Sequence, residues 1–127
     1  MIQKRVLSHL HRLAKKTEGI DGGRVRMAAA VVHKKRIVAT GVNRMKSHPI
    51  MLSSGYRSGQ WFVHAEADAI VRSGLKDFSD YDLYVVRILK SEEFALAKPC
   101  DGCNNLVNTL NFKNVYYTTE NGTLSVL

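Results

Sequence analysis

The chain is short of cysteine, of proline and of long apolar runs. Only two of its 127 residues are cysteine, and both fall in one Cys-x-x-Cys, Cys100 and Cys103; a fold stapled by several disulfides is therefore excluded by arithmetic. Two prolines and nine glycines exclude collagen-like and proline-rich chains. The longest uncharged apolar stretch, 27–32, is far too short to cross a bilayer. The first residues lack the apolar core and small-residue cleavage site of a signal peptide, so no membrane association and a cytoplasmic location are expected. There is no internal repeat and no low-complexity tract. What remains, 45% hydrophobic and 24% charged, is the composition of a soluble globular protein. A chain of this length buries one core and not two, so residues 1–127 are expected to form a single domain.

Acidic residues are scarce in the first third. Residues 1–46 hold 12 Lys/Arg against two Asp/Glu, net +10, whereas 47–127 hold seven against nine, net −2, which together give the formal +8 of the chain. Such asymmetry suits a phosphate-bearing partner, either a nucleotide or a nucleic acid, and is equally the signature of a solvated helix face.

Periodicity supplies the elements. Ile2, Val6, Leu10 and Leu13 recur at helical spacing with basic residues between them, which predicts a basic amphipathic helix over 2–17. β-favouring runs at 24–33 and 36–40 flank Lys34-Lys35 and predict an antiparallel hairpin. Residues 41–60 are polar and glycine-bearing, a long loop of the kind that is usually functional or disordered. A helix is expected from about 64 to Gly74, a strand over 83–89, a loop to Pro99, a helix over 100–110 and a strand over 115–119. Asn121-Gly122 then turns into a short last strand over 123–127, antiparallel to its predecessor. That order describes an α/β protein, a three-layer α/β/α sandwich around a mixed five-stranded sheet.

Two motifs fall where helices begin. His64-Ala65-Glu66 is followed 36 positions later by Cys100 in Pro99-Cys100-Asp101-Gly102-Cys103. One imidazole and two thiolates are a zinc donor set that leaves a tetrahedral ion one open position, where water becomes a nucleophile. Glu66, two residues past the histidine, can sit beside such an ion and move protons. A structural site would need a fourth ligand, for which His48 is the candidate. A redox pair would need a thioredoxin-like strand context that is lacking. His9, His11 and His33 read as surface or packed residues.

Together with Gly41-Val42-Asn43, these motifs resemble the cytidine deaminase-like superfamily of zinc-dependent deaminases, and His-Ala-Glu-x-Asp-Ala-Ile over 64–70 is closest to the deoxycytidylate deaminase type, although Asp68 stands where asparagine is commoner. The antiparallel last strands are more like the cytidine deaminase branch. The resemblance implies Zn2+ held by His64, Cys100 and Cys103, Glu66 as proton shuttle, the Ala65 N–H as donor to the base carbonyl, and Asn43 on the sugar. It also implies a homo-oligomer. Arg44, Lys46 and His48 are candidate phosphate contacts, and Trp61, with Tyr56 and Phe62, is a candidate wall for the base. The leading expectation is hydrolytic deamination of a cytosine nucleotide, dCMP to dUMP. The alternatives are a deaminase acting on a base in tRNA or single-stranded nucleic acid, and a zinc-stabilised binding module without catalysis.

Overall fold

Residues 26–33 alternate between two apolar faces, and that alternation sets the layering. The computed structural model describes residues 2–17, 26–43, 64–97 and 101–127, without the side chains of 2 and 101–105. Strand β1 (Arg26–His33) sends Ala28, Ala30 and Val32 to one side of the sheet and Ala29 and Val31 to the other, as a two-residue period requires. Helix α1 (Ile2–Lys16) covers the first side with Val6, Leu10 and Ala14, all fully buried. Ala14 completes the stripe in place of the expected Leu13, which is only partly buried at its margin.

The second strand, β2 (Arg36–Val42), pairs antiparallel with β1 from His33↔Arg36 to Ala28↔Val42, with one irregularity at Val31/Val32. Two residues, Lys34 and Lys35, make the turn, and both have positive φ, 48° and 68°. The two-residue hairpin needs this left-handed backbone to match the strand twist, and for non-glycine residues it costs roughly 1–2 kcal/mol each.

On the opposite side lie α2 (Ala65–Ser73) and α3 (Asp101–Leu110). Between them the chain forms β3 (Asp82–Ile88) and a two-residue strand, β4 (Phe94–Ala95). After α3 come β5 (Asn114–Thr118) and β6 (Leu124–Val126). The sheet runs β2-β1-β3-β5-β6, with β4 paired to the end of β3. All neighbours are antiparallel except β3 and β5, so the sheet is mixed, its five main strands lying between α1 and the α2/α3 layer as expected. The last hairpin is antiparallel as well: Gly122 at φ 76° closes a three-residue loop between Thr119 and Thr123, a turn that wants glycine at this left-handed position.

β4 replaces what the sequence presented as loop. Its turn carries Glu92, not glycine, at φ 72°, so no turn residue announces it. Two contacts from α1 hold that backbone: His11 Nε2 donates to the Glu92 carbonyl at 2.7 Å and Lys15 pairs with the Glu92 carboxylate at 3.2 Å. β3 thus pairs with β5 over 82–85 and with β4 over 87–88. Thr118 bridges the fork, its buried hydroxyl accepting from the Arg87 N–H at 3.3 Å and donating to the Ala95 carbonyl at 2.8 Å.

Tyr84 lies under α1, stacked on Tyr116 with ring centroids 4.8 Å apart. Burial pushes its phenol above the usual value of 10.0, with smaller upward contributions from Tyr116 and Asp82 against a lowering hydrogen bond from Gln3. Because the folded state raises this pKa, its contribution to stability is whole below pH 10 and is lost as pH rises through the folded value. Thermal melts are expected to hold steady to about pH 9 and to fall beyond about pH 10; Tyr84→Phe should flatten that alkaline fall.

Candidate active site

β2 ends against the backbone of α2. At Gly41 an added Cβ would lie 2.3 Å from the Ala69 nitrogen and 2.7 Å from the Ala65 carbonyl oxygen, so only glycine permits the approach. The contact is at the C-terminal end of β2, which the antiparallel registers place beside the start of β1 and the end of β3. Both helices of this layer begin at that end of the sheet, and they touch one another.

Residue by residue, the expected site divides in two. His64 caps α2 with extended backbone (φ −74°, ψ 149°), and its ring makes no capping hydrogen bond. Ala65 to Ile70 are all buried, so the helix starts inside the protein, and it carries a carboxylate in with it: Glu66 is 2% exposed. Burying a carboxylate is costly, and such residues concentrate at functional sites. Asn43 is equally enclosed; its Oδ1 accepts from the Met27 N–H at 3.0 Å, and its own N–H donates to the Met27 carbonyl at 3.4 Å. Cys103 lies in the first turn of α3, with its side chain outside the described residues. Cys100, Arg44, Lys46, His48, Tyr56, Trp61 and Phe62 also lie outside them.

Two residues matter here that sequence reasoning passed over. Asp68, noted only as a departure from asparagine, is 3% exposed and reaches across to β2. Its Oδ2 accepts from the Val42 N–H at 3.0 Å, while Arg72, one turn on, donates through Nε to both oxygens at 3.2 and 3.1 Å. The strand that leads into Asn43 is thereby tied to the helix that carries Glu66, one residue before the asparagine. The other residue is Arg87. It pairs with Met27 across the ladder, at the end of the sheet where Asn43 lies, and its Nε is buried with no hydrogen-bond partner among the described residues. The strand alternation carried the signal, since an arginine stands where Leu83 and Val85 predict an inward position.

The family model for the cytidine and deoxycytidylate deaminase zinc-binding region matches residues 1–119. The chain belongs to that family. Its fold is similar to that of dCMP deaminase from the cyanophage S-TIM5, at 20% identity over 93% of this chain and 82% of the phage protein, TM-score 0.67. A second crystal structure of the phage enzyme, in complex with dCMP and dUMP, aligns at TM-score 0.66 over 93% and 81%. Cytidine deaminase from Burkholderia pseudomallei aligns over 100% of this chain and 92% of its own at 16% identity, TM-score 0.66. No curated protein sequence matches the chain. The family is zinc-binding, and the donor types at the two helix starts, one imidazole and two thiols, suit that ion.

Gly41→Ala should destabilise the protein by roughly 3 kcal/mol or more, because the obstructing atoms are backbone and cannot swing aside; chemical denaturation measures it. Asp68→Ala should cost about 1–3 kcal/mol by leaving the part-buried Val42 N–H without its acceptor. Asp68→Asn keeps an acceptor, and the half-exposed Arg72 can swing into solvent, so this variant should recover most of the loss.

Proposed function

We propose that this protein is a zinc-dependent hydrolase that deaminates a cytosine nucleotide, with dCMP to dUMP and ammonia as the reaction. The observation that carries the reading is Glu66, a buried carboxylate in the first turn of α2, two residues from the motif histidine and tied through Asp68 to the strand end that presents Asn43. Family membership and the dCMP and dUMP bound by the cyanophage enzyme support the choice of substrate.

His64, Cys100 and Cys103 are the residues to hold zinc. Bound there, the ion supplies Lewis acidity that makes water nucleophilic at neutral pH. Glu66 takes one proton from the attacking water and gives it to the ring nitrogen beside the amine-bearing carbon. The same carboxylate moves the second proton to the exocyclic amine; the C–N bond breaks, ammonia leaves, and the water oxygen stays as the new carbonyl. The Ala65 N–H, in the uncapped first turn of α2, serves as donor to the base carbonyl. Asn43, its carboxamide oriented by the Met27 N–H that bonds to Oδ1, is assigned to the sugar. Arg44, Lys46 and His48 are assigned to the 5′-phosphate and Trp61 to the face of the base.

Glu66→Gln should reduce ammonia release from dCMP by about a thousandfold or more while zinc content, measured by atomic absorption, stays at the wild-type level. Undetectable ammonia release from both proteins, each with its zinc bound, would instead indicate a zinc-stabilised binding module. Absence of turnover by the wild-type zinc protein on dCMP, CMP, deoxycytidine and cytidine alike would refute the substrate assignment.

A further inference from the structure

Eight of the twelve basic residues of the first third, whose charge reads from the sequence as either functional or incidental, lie exposed on α1 and the adjoining β1–β2 turn, with α1 on the side of the sheet away from α2 and α3. Helix α1 contains no acidic residue, and Lys4, Arg5, Arg12, Lys15 and Lys16 are all exposed. The β1–β2 turn adds exposed Lys34, Lys35 and Arg36. Arg5 joins the two by donating from Nη2 to the Lys35 carbonyl at 2.6 Å. Apart from Lys15 with Glu92, none of these cations forms an ion pair among the described residues.

Two features set this surface apart from an ordinary solvated helix face. Lys34 and Lys35 occupy left-handed positions, φ 48° and 68°, where Asn-Gly is at ease and lysine is strained. Lys4 and Arg5 stand in the first turn of α1, where the helix dipole disfavours cations and no acid offsets them. Charge is therefore kept at four positions where local structure opposes it.

The surface also has a direction. Its far end is the Lys34-Lys35 turn; its near end is Thr17, just past Lys16, whose hydroxyl lies 3.5 Å from the Asn43 carbonyl oxygen. The fifteen residues of α1 cover roughly 22 Å between them. Along the way a groove of about 560 Å³ combines exposed Lys4, Arg12 and Lys15 with half-buried Leu7 and Phe94. Cations interleaved with apolar and aromatic surface suit a strand whose phosphates and bases are both accessible; a duplex hides its bases in the stack.

We infer that α1 and the Lys34-Lys35 turn form a binding track for single-stranded nucleic acid, leading along the sheet to the end that holds Asn43 and Glu66. This goes beyond deamination of a free nucleotide and does not depend on it.

The test uses the zinc-loaded protein and a fluorescein-labelled 20-nucleotide oligothymidylate. That probe contains no cytosine, so binding is read apart from turnover. Anisotropy titrations between 50 and 200 mM salt should give a log–log slope of about −2 or steeper, since each phosphate contact on a single strand contributes about −0.7. Lys34→Asn with Lys35→Gly is the decisive double variant. It relieves the strained turn and removes two charges, so Tm should rise by a few degrees while affinity falls about fivefold or more and the slope becomes shallower by roughly one. Lys4→Gln with Arg12→Gln should weaken binding similarly without the rise in Tm. Failure to bind at 50 mM salt, binding unchanged in both double variants, or tighter binding to a duplex of the same length would each overturn the inference.

Discussion

Gly41 is the constraint on which the end of the molecule that holds Asn43 and Glu66 depends. A strand and a helix ordinarily keep a side chain's distance between their backbones, but here the end of β2 lies against α2 at a separation that a Cβ would violate by more than half an ångström at three atoms. That approach brings the Val42 N–H within reach of the Asp68 carboxylate, which could not cross an ordinary strand-to-helix gap. The next residue is Asn43, whose amide oxygen and backbone N–H both bond to Met27 of β1. Through these links backbone contact and hydrogen bonds of 3.0 Å hold Asn43 in place relative to the helix that carries Glu66. Preorganisation of this kind lets a site hold reacting groups without paying for their ordering at each turnover.

The buried start of α2 places a second demand on the same region. Ala65 to Ile70 have no exposed member, so the helix has no solvent face in its first turns, and its two carboxylates must be accommodated inside. Asp68 achieves this with a charged partner whose own side chain is half in solvent and with a backbone donor. Small residues at 65, 67 and 69 leave space for the close strand and for the core beneath. The alanines of β1 do the same work from below: Ala28, Ala29 and Ala30, each fully buried, let α1 and α2 approach the sheet from opposite sides of one strand.

Much of this was legible in the sequence because it rests on local rules. The 3.6-residue stripe of α1, the left-handed C-cap at Gly74 (φ 67°) and the Asn121-Gly122 turn each follow from residue type and spacing. So did the family, since the His64 and Cys100 motifs are a joint pattern that few other folds carry. What escaped reading depends on tertiary contact. β4 is two residues long, and its turn is held by His11 and Lys15, some eighty residues away in sequence, so no local signal marks it. Asp68 looked like a blemish in a motif because its partner, Val42, is reached only after the strand has folded onto the helix. Arg87 differs: alternation with Leu83 and Val85 marks it as inward-facing in the sequence, and only its pairing with Met27 is a property of register.

The distribution of charge follows from the layering without being required by it. A three-layer sandwich needs an apolar stripe on α1, and Val6, Leu10 and Ala14 supply it; the solvent face can be of either sign, and alternating acids and bases would have strengthened the isolated helix through pairs four residues apart. Helix α1 forgoes those pairs entirely, setting basic residues at both of its ends, and it draws Glu92 from the β3–β4 turn to pair with Lys15. A residue choice that weakens the element bearing it, repeated at the turn beside it, points to a constraint from outside the fold. Since α1 is separated from Glu66 by the thickness of the sheet, that constraint acts on a surface remote from the buried carboxylate, and the two can be altered independently.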